Sequence, residues 1–125
     1  MRRFYLFIFT LTIILLLPLN STAAGGKIAG KVYDEESGEM LAGVNVYIES
    51  FWRAGREMPL EIPRGASSDT EGYYVILNVE PGTYTVRASM IGYSDMVINR
   101  VHVNMDRTTI LDIAMQGAIL ETEEI

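Results

Sequence analysis

Three side chains between Ser50 and Gly65 have the chemistry of a contact site. Trp52 is the chain's single tryptophan, and Arg53 and Arg56 lie within one turn of it in sequence. A tryptophan offers a broad apolar ring with one N–H donor. An arginine offers a planar cation with several donors. Both are enriched where binding energy concentrates. Together they would dock a protein partner or stack on a sugar. The competing assignment is structural: Phe51 and Trp52 fold back onto the body of the protein and shield an edge. Elsewhere the candidates for chemistry fall away. Gly25 to Val32 nearly fits the phosphate-binding G-x-x-x-x-G-K-[ST] loop, but Val32 stands where the metal-holding hydroxyl belongs. The segment also reads as a strand, so no helix N-terminus would meet the phosphates. His102 is the sole histidine and there is no cysteine. A zinc site needs more ligands than that. A general base needs a nucleophile and an orienting group, and the spacing offers neither. Asp69 and Glu71 fall short of the six or more oxygens that calcium takes. The expectation is no catalytic, cofactor-binding or metal residue, and one candidate partner-binding loop at Trp52, Arg53 and Arg56.

The ends of the chain set its compartment. Met1-Arg2-Arg3 is basic, Phe4–Leu17 is an uncharged apolar run of 14 residues, and Ser21-Thr22-Ala23-Ala24 is small. That is the order of a secretory signal, with cleavage expected after Ala24. A spanning helix needs about 20 apolar residues, more than this run holds. Cleavage leaves one domain's worth of chain. It removes Arg2 and Arg3, leaving 8 basic against 16 acidic residues, a net charge of −8. Such a chain should avoid nucleic acid and anionic membrane. Export without disulfides suits a bacterial envelope better than a small animal secreted domain.

Period-two alternation dominates the remainder, and no long helical period appears. Ile28, Gly30 and Val32 alternate with Lys31 and Tyr33; Val44, Val46 and Ile48 with Asn45 and Tyr47. Tyr73 to Leu77 is apolar on both faces. Tyr84, Val86 and Ala88 alternate with Thr85 and Arg87. Val97, Asn99, Val101 and Val103 alternate with Met96, Ile98, Arg100 and His102, which should turn His102 outward. Leu111, Ile113 and Met115 complete the set. Turn chemistry separates the runs. Asp34–Gly38 closes the first strand, and Asp69–Gly72 is a four-residue turn that begins with an aspartate able to bond its own backbone and ends in glycine. Pro81-Gly82 predicts a type II turn with glycine at positive φ, and Asn104-Met105-Asp106 a hairpin. Ser50–Gly65 has no clean period and two prolines, so it predicts an extended surface loop. Six or seven short strands at this spacing predict an all-β, Greek-key sandwich.

Gly30-Lys31-Val32-Tyr33-Asp34 and Gly38-Glu39-Met40-Leu41-Ala42-Gly43-Val44-Asn45-Val46 resemble the opening of a carboxypeptidase-regulatory-like domain. Asp69–Tyr74, Pro81–Val86 and Ile91-Gly92-Tyr93 resemble that family's later motifs, in the right order. The resemblance covers about Lys27 to Met115. It implies a seven-stranded, prealbumin-like β-sandwich over 25–116, after a signal peptide at 1–24, and despite the name no peptidase activity. Ser50–Gly65 departs from the family, which usually has a shorter connection there. Such domains accompany catalytic domains in carboxypeptidases and precede outer-membrane receptors of Bacteroidetes-type bacteria. Leu120 to Ile125 resembles the segment that joins this domain to the plug of a TonB-dependent receptor. Residues 117–125 otherwise read as an acidic, solvated tail.

The resemblance therefore implies a non-enzymatic exported module, the N-terminal periplasmic extension of a TonB-dependent receptor for nutrient uptake. Its partners would be envelope proteins, including a plug and barrel in the same chain. The alternative is a free-standing secreted or periplasmic module that binds glycan or protein. An enzyme accessory domain is a third class, and it requires a catalytic neighbour.

Overall fold

The computed structural model describes residues 25–119 together with Arg3. The rest of the expected signal segment, and the receptor-like segment 120–125, lie outside the described residues. Eight strands follow in order: β1 (Gly26–Asp34), β2 (Asn45–Arg53), β3 (Arg56–Ser67), β4 (Tyr73–Val79), β5 (Gly82–Ser89), β6 (Met96–Val103), β7 (Thr108–Ile110) and β8 (Ile113–Met115). They form two sheets of four. In one, β1 pairs antiparallel with β4 and parallel with β7 and β8. In the other the order is β3-β2-β5-β6, antiparallel throughout. The β-branched residues of the alternating runs build the interior. Ile28, Val32, Ile76, Val79, Ile113 and Met115 of the first sheet meet Val46, Ile48, Val86, Ala88, Val101 and Val103 of the second. Burying each large aliphatic side chain contributes about 1.5–3 kcal/mol, so this layer holds the sheets together.

The expected sandwich is present, with eight strands instead of seven. The last predicted strand is cut in two at Leu111-Asp112. There the Lys31 N–H donates to Asp112 Oδ1 (2.9 Å), a side chain standing in for a ladder carbonyl. A Cβ at Gly30 would collide with the Leu111 carbonyl, so glycine lets the break lie against β1.

Ser50–Gly65 is not a loop. It is the far end of β2, a two-residue turn and most of β3. Ala54 (φ 51°) and Gly55 (φ 74°) both take positive φ, as a type I′ hairpin turn demands. The period is lost because Ser50 pairs with Pro59 while Ile48 pairs with Arg64, so Leu60–Pro63 bulge out of β3. The two prolines frame that bulge on an edge strand, where a missing N–H is tolerated.

Three smaller expectations also change. Gly82 begins β5 without positive φ; Asn78 (φ 54°) takes the left-handed conformation instead, ahead of the crossing between sheets. Asn104–Asp106 does not close a hairpin, because β6 and β7 belong to different sheets. In β6 the simple alternation fails at Arg100 (φ 55°): Met96 and Ile98 turn inward before it, Val101 and Val103 after it. His102 is exposed, as predicted.

Candidate functional site

The predicted contact residues are divided by the sheet they sit on. Successive side chains of a strand point to opposite faces, and directly paired residues share one. Trp52 pairs with Glu57 and Thr83 on the outer face. Arg53 pairs with Arg56 beside the turn, on the other face, and both are exposed. Two like charges face each other there, an arrangement that costs stability unless an anion relieves it.

Trp52 is held in place by the second sheet. Its Nε1–H donates to Thr85 Oγ1 (2.9 Å), and Arg100 lies 5.4 Å from the ring centroid. Thr85 and Ser50 are buried although they face outward, and the Ser50 hydroxyl donates to Glu57. The ladder shifts register at Ile48/Ser50 in β2 and at Tyr84/Val86 in β5, and β6 turns at Arg100. The indole therefore covers a line of irregularities crossing three strands. Trp52 thus packs on its own sheet while staying partly exposed.

On the inner side, Phe51 is half-buried and stands opposite Tyr84. With Ile48, Leu60, Ile62 and Val79 it lines a cleft of about 430 Å³ between the β2–β3 hairpin and the β4–β5 connection. Glu61, Arg64 and Glu80 stand at its rim. A recess of about 290 Å³ adjoins it under Trp52, Arg53 and Pro81. The Tyr84 hydroxyl donates to the Glu80 carbonyl (2.6 Å). Burial, and secondarily the Glu80 charge, push that hydroxyl's pKa up. It stays a neutral hydrogen-bond donor at ordinary pH. The Arg64 guanidinium donates to the Asn78 carbonyl and ties β3 to the end of β4.

These cleft residues were not picked out from the sequence. The signal available was Pro59-Leu60-Glu61-Ile62-Pro63, two apolar residues framed by prolines, which fits an edge strand as well as a loop.

The remaining candidates find ordinary roles. Asp69 Oδ1 accepts from the N–H groups of Glu71 and Tyr73 (both 2.9 Å), and Gly72 takes φ 83°, so this is a turn. His102 Nδ1 lies 2.9 Å from Thr83 Oγ1 on the exposed outer face. This pair is a cross-strand contact on the outer face, with Thr83 also at the edge of the smaller recess. A nucleophile and base would also need an orienting group and a water-excluded pocket. Among the described residues, no group of three His, Cys, Asp or Glu stands together as a metal site.

Comparison with known proteins follows the fold. No curated protein matches the chain. A chain of the type II cohesin-X-dockerin complex of Acetivibrio cellulolyticus is 23% identical with a TM-score of 0.57, over 74% of this chain and 58% of that one. A carbohydrate-binding protein, so described provisionally, from Bacteroides uniformis is 18% identical at 0.52, over 71% of this chain and 40% of that one. Catechol 1,2-dioxygenase of Acinetobacter radioresistens is 12% identical at 0.55, over 86% and 57%. In each case the match spans less than two thirds of the other chain. The likeness is one of fold alone, a β-sandwich. The sequence profile of the carboxypeptidase regulatory-like domain matches residues 27–116, and the chain belongs to that family.

Proposed function

We propose that this chain is a non-enzymatic, exported contact module that forms the N-terminal periplasmic extension of a TonB-dependent outer-membrane receptor. The observation that carries the reading is position. A domain of the regulatory-like family, residues 27–116, stands between a signal-type N-terminus and a segment, Leu120–Ile125, that resembles the join to a receptor plug. The surfaces add support: an apolar cleft, and two arginines at a hairpin tip, are equipment for contact. The test is to sequence the source DNA past codon 125 and fractionate the cells. The reading expects the frame to run on into a plug and a long series of amphipathic strands, with the product in the outer membrane. A stop codon directly after Ile125 would sink it.

That second outcome would favour a free-standing binding module. The cleft bordered by Phe51, Leu60 and Tyr84, with Arg53 and Arg56 nearby, is then the place for a glycan or protein ligand. Likeness in fold to a chain of a cohesin-X-dockerin complex, a protein–protein complex by name, agrees with protein partners under either reading.

A further inference from the structure

An open sheet edge is a template for another strand, and proteins ordinarily blunt their edges. Three of the four edges here are blunted. β3 carries Pro59, Pro63 and the bulge between them. β6 turns at Arg100, a charged residue at positive φ. β7 and β8 are three residues each, interrupted by Asp112. β4 is different. Tyr73–Val79 runs seven residues with no charge and no proline, and its one irregularity, the bulge at Leu77-Asn78 (Asn78 φ 54°), follows the regular run Tyr73–Ile76.

The register shows which backbone groups β4 leaves free. The N–H groups of Lys27 and Lys31 donate to the Arg107 carbonyl and to Asp112, and the Ala29 carbonyl accepts from Leu111. These three residues of β1 thus face β7 and β8. Ile28, Gly30 and Val32 face β4, and the Val32 N–H accordingly donates to the Gly72 carbonyl (2.8 Å). Ile28 and Gly30 stand opposite Ile76 and Tyr74. In an antiparallel pair a residue's N–H and C=O point the same way, and the direction alternates. The groups of Tyr73, Val75 and Leu77 therefore point away from the sheet. Asp69 takes those of Tyr73, through its own N–H (2.8 Å) and its carboxylate (2.9 Å). Val75 and Leu77 keep two donors and two acceptors on an edge where, among the described residues, no strand pairs. Their side chains are 46% and 62% exposed on the outer face. Beyond them an open groove of about 400 Å³ separates β4 from Pro63, Arg64 and Gly65 of β3.

We infer that β4 pairs antiparallel with β4 of a second copy of this chain, about a two-fold axis at Ile76. In that register Val75 of each copy stands opposite Leu77 of the other. The two donors and two acceptors of each edge then meet their counterparts, so the edge is complementary to itself. The exposed Val75 and Leu77 side chains become cross-strand neighbours on the outer face, the contact that stabilises a sheet. No charge on β4 opposes it. Lys27 and Lys31 share that face but sit one strand back, on β1. Three strand spacings would separate the two lysine rows, about 14 Å, which exceeds the screening length of about 8–10 Å in ordinary salt. One strand pair buries less than the roughly 1,200 Å² of a stable interface, so the dimer is weak and depends on concentration.

Sedimentation equilibrium on the chain produced from its own start codon tests the inference. The expected result is a reversible rise from one-copy to two-copy mass with concentration. Val75→Pro removes an outward N–H that β1 does not use, and Leu77→Lys puts a charge beside the axis, opposite Val75 of the other copy. Each should raise the dissociation constant at least about tenfold, the equivalent of about 1.4 kcal/mol. Ile91→Lys, at a fully exposed site away from β4, should leave it unchanged. Should the proline variant unfold, the lysine variant carries the test, because the Leu77 side chain lies outside the core. One-copy mass at every concentration, or a dimer indifferent to both β4 variants, would overturn the assignment.

Discussion

Two strands border the same groove and are built on opposite plans. β3 is irregular, with two prolines, a four-residue bulge and charged residues along its length. β4 is uncharged and apolar on both faces, and it is regular from Tyr73 to Ile76; its one bulge, Leu77-Asn78 opposite Lys27, comes near its end. Irregularity in β3 gives up ladder hydrogen bonds and in return prevents a foreign strand from pairing. The regular run Tyr73–Ile76 of β4 keeps its bonds to β1 and leaves Val75, with Leu77 at the start of the bulge, able to form more. The difference teaches that an edge can be protected at a cost in ladder bonds on one side of the groove and left without proline or charge on the other, as the proposed pairing of β4 requires.

The comparison can be broken outright. Replacing Pro59 and Pro63 together with threonine restores two N–H groups to β3 and removes the frame of its bulge. The account expects a second sticky edge: most of the protein should leave solution on heating under conditions where the parent chain stays clear. Light scattering during a thermal ramp reads the outcome.

Removing the support of the guarded strand comes next. Trp52→Ala strips the cover from Thr85 and Ser50 and leaves the buried Thr85 hydroxyl with only a long bond to Asn99 (3.4 Å). A half-buried indole and a weakened polar contact together are worth about 2 kcal/mol. The expected change is a fall in the urea midpoint with an unchanged slope. A Trp52 variant as stable as the parent would mean that the indole is free for a partner after all.

A smaller gain should come from the turn between β2 and β3. Ala54 takes positive φ, where a side chain other than that of glycine or asparagine is strained. Ala54→Asn creates the Asn-Gly pair that type I′ turns favour, and it should stabilise the hairpin by about 0.5–1 kcal/mol. Thermal unfolding would register it as a modest rise in Tm.

The smallest effect is on pH dependence and lies away from the groove. Hydrogen bonds from the Ser37 N–H, the Tyr93 hydroxyl and the Glu36 N–H hold the Asp34 carboxyl below its ordinary pKa of 3.8. A depressed carboxylate contributes stability that is complete above the unfolded value and is lost as pH falls through the folded one. The same bond raises the Tyr93 hydroxyl above its ordinary 10.0, so its share is complete below that value and is lost as pH rises through the raised one. Asp34→Asn should flatten the acid limb of a Tm-versus-pH curve below about pH 4 while leaving the neutral plateau nearly level.

The same contrast explains what the sequence disclosed. Alternation located β1 and β4, because the one bulge between them falls near the end of the pair, and Asp69–Gly72 announced its turn through residue types that act locally. The β2–β3 hairpin was invisible because its bulge destroys the period by which strands are recognised. Arg100 reversed the faces of β6 through a single dihedral angle that no neighbouring residue signals. Asn78 took the positive φ that Pro81-Gly82 seemed designed to supply. The pairing of the sheets could not be read at all, so Asn104–Asp106 passed for a hairpin although it crosses between them. The cleft depended on all of these at once. Phe51, Leu60 and Tyr84 are distant in sequence and meet only after the bulge has formed. Trp52 drew attention by its type, yet its bond to Thr85 shows that a rare side chain in an irregular segment is as readily a structural cover as a contact.

Amide hydrogen exchange, followed residue by residue at low and high protein concentration, tests most directly whether β4 is the uncovered edge. The account predicts that the Val75 and Leu77 amides exchange quickly when dilute and become protected when concentrated. Tyr74 and Ile76, bonded to β1, should be protected at both concentrations, and the β3 amides should not respond. Protection of Val75 and Leu77 in the dilute chain, or rapid exchange at every concentration, would contradict it.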